Sequence, residues 1–289
     1  MTLGETFQLG PKAVHRMGFG VMQLPGPGVI GPPRDHDEAI AVLRRAVELG
    51  VDHIDTAQFY GPNVANELIR EALYPYPAEL ALVSKVGARR DGTGAWLHAQ
   101  APADLRAGVE ENLKTLGVDQ VDVVNLRLLD DPEVALEDQL EAMIDMRTQG
   151  LIGGIGLSNV TAEHLATARG VTDIVCVQNA FNVVDRASEP VLETCRTEGI
   201  AFVPFFPLGS AFGGDHNDVL ETPAVVAGAA RLGVTVAQLA LAWLLDRWSN
   251  VLLIPGTSSV AHLEENLAAA EIKLDNDARA ELEGIGSAN

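Results

Sequence analysis

GVDHIDTAQFYG at residues 50–61 and LVSKVG at 82–87 are the stretches that decide the fold. Each begins as a short apolar run, the length of a buried strand, and ends in polar residues rather than continuing as a helix. Asp55 closes the first run, Tyr60 follows on the loop, and Lys85 closes the second. Runs of the same kind recur at 17–21, 121–127, 152–157, 174–178, 201–205 and 251–255. Amphipathic helical patterns fill the gaps at 36–49, 64–73, 102–116, 134–149, 161–169, 187–198 and 235–246. Eight strands alternating with helices, with no Pro/Ser-rich linker, predict one closed parallel (β/α)8 TIM barrel over residues 1–289, a single domain. An open doubly wound sheet would carry a glycine-rich phosphate turn after its first strand. GFGVMQL at 18–24 lacks the third glycine and opens no helix.

Two segments fall outside the repeat. Residues 6–9 and 14–16, joined by Gly10-Pro11-Lys12, read as an N-terminal β-hairpin closing the bottom of the barrel. Residues 275–285 read as an extra C-terminal helix packed outside. The longest irregular loops are expected after strands three and seven, at 87–101 and 208–222. Both would emerge on the C-terminal face, where barrel enzymes place their sites.

At 289 residues and 47% apolar, the chain has material for a sizeable core. No apolar stretch approaches the roughly 20 uncharged residues that span a bilayer. MTLGETFQLGPK at the N-terminus lacks the basic and apolar regions of a secretory signal. A formal net charge of −20 argues against nucleic acid and anionic membranes as partners. It also requires that a phosphorylated cofactor be held by local devices such as helix N-termini, backbone amides and a few placed cations. Cys176 and Cys195 fall in a strand and a helix as buried free thiols, which fits a cytoplasmic location. The number of subunits, monomer or homo-oligomer, is left open.

A phenol beside an ammonium and a carboxylate can serve as a proton donor near neutral pH. Free tyrosine ionises near about pH 10, and a neighbouring cation favours the phenolate. The carboxylate in turn keeps a buried ammonium charged. Asp55, Tyr60 and Lys85 can together protonate a carbonyl oxygen while a hydride reaches its carbon. The plain alternative is a structural salt bridge beside a surface tyrosine. The seven histidines form no HExxH, the two cysteines no CxxC, and G-x-S-x-G is absent, so neither a metal nor a serine nucleophile is expected. Lys85 could form a Schiff base with an aldehyde, but Asp55 and Tyr60 beside it favour reduction.

Besides HIDTAQFYG (53–61) and SKVG (84–87), the chain carries IGGIGLSNV (152–160), IVCVQNAFN (174–182), VPFFPLG (203–209) and IPGTSSVAHLEEN (254–266). In this order, each at the end of a different strand, these motifs resemble the aldo-keto reductase superfamily over essentially the whole chain. The finer pattern is similar to the bacterial pyridoxal reductase branch. It rests on MQLPGPGVIGPPRD (22–35), QFYGP (58–62), REALYPY (70–76), KVGARR (85–90), VDVVNLR (121–127), FVPFFPLG (202–209) and LLIPGTSSVAHL (252–263).

The resemblance implies reduction of a small-molecule aldehyde with NADPH, pyridoxal to pyridoxine, with NADH use left open. Tyr60 would be the proton donor, Lys85 its neighbour and Asp55 the group that holds Lys85. Many members place a histidine at the end of strand four, five residues after its leading aspartate. Counted from Asp122, that position is Arg127, with Asn125 on the same side of the strand as a candidate substrate contact. Arginine donates up to five hydrogen bonds, stays charged and suits paired oxygens. Pyridoxal carries its aldehyde ortho to a phenolate oxygen. Arg127 is therefore expected to span those two oxygens or to stabilise alkoxide charge, or else to turn away toward Asp130 or Asp131.

By the same resemblance Ser158, Asn159 and Gln178 hold the nicotinamide carboxamide, and Phe205 stacks where the family usually has a tyrosine. Gly20, Val21 and Met22 line the other side, while Leu208 and Gly209 approach the pyrophosphate. Gly256, Thr257, Ser258 and Ser259 lead into a short helix whose amides face an anion, and Glu265 and Asn266 match adenine contacts. His262 stands where many relatives have an arginine for the 2′-phosphate; with glycine rather than lysine at 256, that grip is expected to be weaker than usual. Strand-end caps, a core aromatic and an ordinary helix cap are the plain readings of these positions.

Arg89, Arg90 and Trp96, on the loop after strand three, have two readings. Either they border the substrate mouth, the arginines drawing in an anion, or they are solvated charges with an anchoring tryptophan. Trp243 and Trp248 read as helical core packing. Two other functions fit the same motifs: a reductase of a specialised metabolite carbonyl, and a nicotinamide-sensing regulatory subunit of the same fold.

Overall fold

The computed structural model describes residues 2–129, 134–209 and 219–285. It opens with a hairpin of β1 (Thr6–Leu9) and β2 (Lys12–His15). There follow β3 (Phe19–Gly20), α1 (His36–Glu48), β4 (His53–Asp55), α2 (Val64–Leu73), β5 (Ala81–Arg90), β6 (Trp96–Ala99) and α3 (Pro102–Leu116). The middle of the chain runs β7 (Val121–Arg127), α4 (Leu136–Thr148), β8 (Ile152–Ser158), α5 (Ala162–Val171), β9 (Cys176–Gln178), α6 (Glu189–Glu198) and β10 (Ala201–Phe202). It ends with α7 (Pro223–Leu232), α8 (Val236–Arg247), α9 (Val260–Ala268) and α10 (Asn276–Ile285).

Seven strands pair in parallel in the order β3-β4-β5-β7-β8-β9-β10. Residues 251–253 close the ring: Val251 bridges Phe202 and Leu253 bridges Met17. The Gly18 amide donates to the Leu253 carbonyl and the Leu253 amide to that of Arg16, both at 2.8 Å. The eighth strand expected at 251–255 is thus reduced to these bridges, and the first shrinks from 17–21 to Phe19–Gly20 plus the bridge at Met17. The result is a (β/α)8 barrel. Its central strands are buried on both faces, which is why Val121, Val123, Val124 and Leu126 form an almost unbroken apolar run. Side-chain caps start several of the surrounding helices, with Asp35 accepting from the Glu38 amide and Thr235 and Gln238 forming a capping box.

The hairpin turn is Gly10-Pro11, with Lys12 already in β2, one residue shorter than the sequence predicts; Arg16 lies beyond the strand. Leu9 and Val14 pack against Val83, Val123, Val203 and Leu252, so the hairpin plugs the N-terminal end of the barrel. Residues 87–101, expected to be irregular, form a second hairpin in which β5 continues to Arg90 and β6 returns antiparallel to it. The sequence reading also missed α7, which follows directly on the loop expected at 208–222; of that loop, residues 210–218 lie outside the described residues. Trp243 is buried as expected, but Trp248 is 40% exposed beyond the end of α8, with Arg196 over its ring. Helix α10 docks through Glu283, which accepts from Arg186, Arg247 and the Trp243 indole. Cys176 and Cys195 are both free and buried.

At the floor of the barrel, Asp52 ties β2 to β4. Its carboxylate accepts from the His15 backbone amide at 3.0 and 3.1 Å and contacts the His15 ring at 2.6 Å. Burial pushes the Asp52 carboxyl up, but contacts from His53 and His15 outweigh it and hold the group below its ordinary value. Asp52→Asn should therefore cost about 1–2 kcal/mol of stability near neutral pH. A depressed folded-state pKa contributes stability that is present above the unfolded value of about 3.9 and is lost as pH falls through the folded one. By calorimetry, the melting-temperature gap between wild type and variant should persist at about pH 6 and narrow below about pH 4.

Candidate active site

The strand register assembles the site at the C-terminal end of the barrel. Gly20 lies opposite Asp55, Lys85 opposite Asn125, and Arg127 opposite Ser158, which in turn faces Gln178. A cavity of about 210 Å³ opens above this row. Asp55, Tyr60, Lys85, Arg127 and Gln178 form its polar wall, and Phe59, Trp96, Phe205, Phe206 and Leu208 contribute its apolar wall.

Lys85 is 4% exposed. Its ammonium donates to Asp55 Oδ1 and, at 3.0 Å, to the Thr56 carbonyl, and stands 5.1 Å from the centroid of the Tyr60 ring. Burial alone would lower the Lys85 pKa. The pull of Asp55, with that of Tyr60, more than offsets this, so the pKa is raised and the ammonium stays charged. Gln178 Nε2 donates to the other Asp55 oxygen at 2.6 Å, bracing the carboxylate from across the barrel. Such a phenol, cation and carboxylate can deliver a proton to an oxygen in the cavity.

The loop that carries Tyr60 is fixed by a buried amide network. Thr56 Oγ1 donates to Asn66 on α2, Asn66 donates to Asn112 on α3, Ser84 Oγ donates to the same Asn112 oxygen, and Asn112 donates to Gln58. The sequence reading missed these residues; their signal was an asparagine on the buried face of each helix. A second support is Gly87, where β5 leaves the barrel. Its φ is +104°, and a Cβ there would collide with the Arg127 carbonyl.

Arg127 Nη1 donates to Ser158 Oγ at 3.1 Å, and the guanidinium lies 5.4 Å from the Phe205 ring centroid. Burial lowers its pKa from the ordinary arginine value, with the Tyr60 oxygen pulling the other way. Asp130 and Asp131, the alternative partners, lie outside the described residues. Asn125, the expected substrate contact, is fully buried and is not among the residues that line the cavity; it donates to the Ser84 carbonyl and accepts from Cys176.

Of the other expected contacts, Gly20, Met22, Gln178, Phe205, Leu208, Gly209 and Gly256 line the cavity. Val21 is buried beside it, its amide bonded to the Asp55 carbonyl. Asn159 is exposed and braces the Leu128 carbonyl. Arg89 is exposed, whereas Trp96 lines the cavity. The chain leads from Gly256 through Thr257, whose hydroxyl accepts from the Ser259 amide, to the start of α9. Ser258 borders a second cavity of about 260 Å³ shared with Met22 and Arg34. His262 is exposed, Glu265 accepts from the Thr235 hydroxyl, and Asn266 is buried. The Val260 amide is already met by Glu38 of α1 at 3.0 Å, a contact the sequence reading did not foresee. Among the described residues no cluster of side chains could hold a metal ion.

A parallel barrel with this site at its C-terminal rim defines a class. Residues 16–287 match the model of the aldo/keto reductase family, and the chain belongs to that family of oxidoreductases acting on small carbonyl compounds. It is 50% identical to pyridoxine 4-dehydrogenase of Escherichia coli (strain K12) across 97% of this chain and 98% of that protein. It is 41% identical to an uncharacterized oxidoreductase of Schizosaccharomyces pombe, covering 97% and 90% of the two chains. Among solved structures, it matches a thermostable aldo-keto reductase in complex with the inhibitor epalrestat at a TM-score of 0.83 and 32% identity, over 97% of this chain and 99% of that one. A Klebsiella pneumoniae aldo/keto reductase solved with NADP and acetate gives 0.80 and 25%, over 98% and 95%.

Replacing Asn112 by Ala would strand the Ser84 and Gln58 groups that bond to it, while Asn66 would keep its bond to Thr115. Each buried polar group left unpaired costs about 1–3 kcal/mol. Asn112→Ala should therefore lower the unfolding free energy by about 3 kcal/mol, read from urea denaturation.

Proposed function

We propose that this aldo/keto reductase reduces the aldehyde of pyridoxal to the alcohol of pyridoxine with NADPH, Tyr60 giving the proton. The observation that carries the reading is the Lys85 ammonium, bonded to Asp55 and set beside the Tyr60 ring in the wall of one cavity. The likeness to the Escherichia coli pyridoxine 4-dehydrogenase supports the substrate. The Klebsiella pneumoniae structure with NADP supports the cofactor.

The chain's residues fit a nicotinamide. Gln178 lines the cavity, and because its nitrogen is taken by Asp55, its buried Oε1 has no hydrogen-bond partner. That oxygen is an acceptor suited to a carboxamide N–H. Ser158 accepts from Arg127 and keeps its own hydroxyl hydrogen to donate, and Asn159 stands next to it. Phe205 would offer a ring face to stack on, Gly20, Val21 and Met22 would line the other side, and Leu208 and Gly209 would approach the pyrophosphate. Gly256, Thr257, Ser258, Ser259 and His262 would meet the 2′-phosphate, and Glu265 and Asn266 the adenine. When bound, the nicotinamide supplies the hydride to the carbonyl carbon.

Tyr60 then passes its proton to the carbonyl oxygen, and Lys85 stabilises the phenolate that remains. Asp55, braced by Gln178, holds Lys85 in place. Arg127 spans the aldehyde oxygen and the neighbouring ring oxygen, stabilising charge as it develops. Asn125 supports this row from below, and the aromatic wall excludes water. The whole chain would act as one domain in the cytoplasm.

A steady-state assay of NADPH oxidation over pyridoxal, pyridoxal phosphate and simple aldehydes tests the reading. Pyridoxal should be turned over with the highest kcat/KM. Tyr60→Phe should lower kcat by about 100-fold or more with cofactor affinity unchanged, and Arg127→Leu should lower kcat/KM for pyridoxal by about 100-fold. Turnover of simple aldehydes with none of pyridoxal would remove the substrate; an unchanged kcat/KM in Arg127→Leu would remove the arginine from the mechanism.

A further inference from the structure

The hairpin of β5 and β6 carries a contact that the proposed reaction does not use. Arg90 and Trp96 are direct cross-strand partners in its ladder, so their side chains leave the same face, whereas Arg89 pairs with Leu97. The Arg90 guanidinium carbon stands 4.3 Å from the centroid of the Trp96 ring. Its Nη2 donates to the Gly28 carbonyl at 3.0 Å, tying the hairpin to the loop at 26–31. That loop is in turn bonded to the residue after Tyr60: the Gly31 amide donates to the Gly61 carbonyl at 2.9 Å, and the Gly61 amide to that of Val29 at 3.1 Å. Arg90 Nε and Nη1 are buried with no hydrogen-bond partner. The indole face beneath the guanidinium is the group that compensates them.

The hairpin tip is fixed independently, because Asp91 Oδ1 accepts from the Thr93 amide, the Thr93 hydroxyl and the Ala95 amide. From Trp96 the packing continues inward. Trp96 meets Phe59 edge to face at 5.3 Å, and Phe59 meets Tyr60 the same way at 5.3 Å. Trp96 and Phe59 line the cavity and Arg90 does not, so Arg90 reaches the substrate through the indole alone.

We infer that Arg90 is a positioning residue that holds the Trp96 ring as a fixed wall of the cavity, and that this wall makes the enzyme prefer a flat aromatic aldehyde to a short aliphatic one. The inference rests on the proposed reaction at Tyr60. Trp96 is 41% exposed, and without its strut the ring would have to be ordered at every binding event. The strut sets this ordering in advance, so it acts on KM and leaves kcat to the groups around Tyr60. The attraction of anions expected of this arginine is a weaker account, since its charge is committed to the indole and to Gly28.

The test compares benzaldehyde, a carboxybenzaldehyde and propanal, each at low and high salt, in wild type, Arg90→Met and Arg90→Lys. Arg90→Met should raise the benzaldehyde-to-propanal KM ratio by about five- to tenfold at both salt levels, with kcat for benzaldehyde unchanged. Arg90→Lys, which restores a cation over the ring, should recover most of that ratio. An unchanged ratio overturns the inference, and so does a defect confined to the carboxybenzaldehyde and abolished by salt. If melting curves show Arg90→Met unfolded, Trp96→Leu replaces it and must raise the same ratio; no rise overturns the inference. If the wild type reduces no aldehyde, the proposed reaction has failed on its own. Calorimetric titration of benzaldehyde then decides, where Arg90→Met must weaken binding by a similar factor and equal binding overturns the strut.

Discussion

A lysine charge buried at the mouth of a parallel barrel is the constraint on which the rest of the site depends. Removing an ammonium from water costs several kcal/mol, and one carboxylate with imperfect geometry does not offset it. Here the compensation is complete on both sides. Lys85 has Asp55 and the Thr56 carbonyl, and the second oxygen of Asp55 has Gln178. These groups stand on β4, β5 and β9, and β9 lies beyond β7 and β8 in the sheet. The Gln178 contact therefore needs the sheet to curve back on itself, so barrel closure and the charged pair support each other. Closure comes through short bridges at residues 251–253, which makes the hairpin plug beneath them part of the same support.

The barrel was legible in the sequence because eight short apolar runs alternate with amphipathic helical patterns, a pattern that survives without any contact information. What escaped has identifiable physical causes. PAVVAGAARL in α7 is so rich in alanine and glycine that it shows no clear polar face, and its signals are confined to Pro223 at the start and Gly233 at the end. GARRDGTGAWLHA offers too little apolar alternation to read as strands. Its structure comes from cross-strand pairing and from the Asp91 turn rather than from burial. In the site, Asp55, Tyr60, Lys85 and Arg127 could be named because polar and ionisable side chains at or just beyond the ends of apolar runs stand out locally. Asn66 and Asn112 could not, because an asparagine in a helix reads locally as a solvent-facing residue. Only the tertiary arrangement turns those helix faces toward the Tyr60 loop. Glu38 is similar: as a first-turn acid it looks like a cap of its own helix, yet it meets the first turn of α9.

Arg127 shows how the local field of the cavity differs from that of the whole protein. With a net charge of −20, the surface repels anions, but exposed charges are screened over about 8 Å at physiological salt. Lys85 and Arg127 stand inside a largely apolar wall, where screening is weak and each charge counts for more than it would in water. Both cations interact with the Tyr60 oxygen. Under the proposed reaction, a substrate oxygen placed between them would gain stabilisation as it becomes an alkoxide and little while it remains a neutral carbonyl, which is the condition for lowering a barrier rather than merely tightening binding. An arginine holds its charge across the working pH range where a histidine would lose it. Ser158 fixes the guanidinium from one side and Phe205 packs against it from the other, so the orientation is set before any substrate arrives. The acidic surface and the cationic cavity are therefore not in conflict: screening confines the first to the exterior, and burial preserves the second inside the cavity.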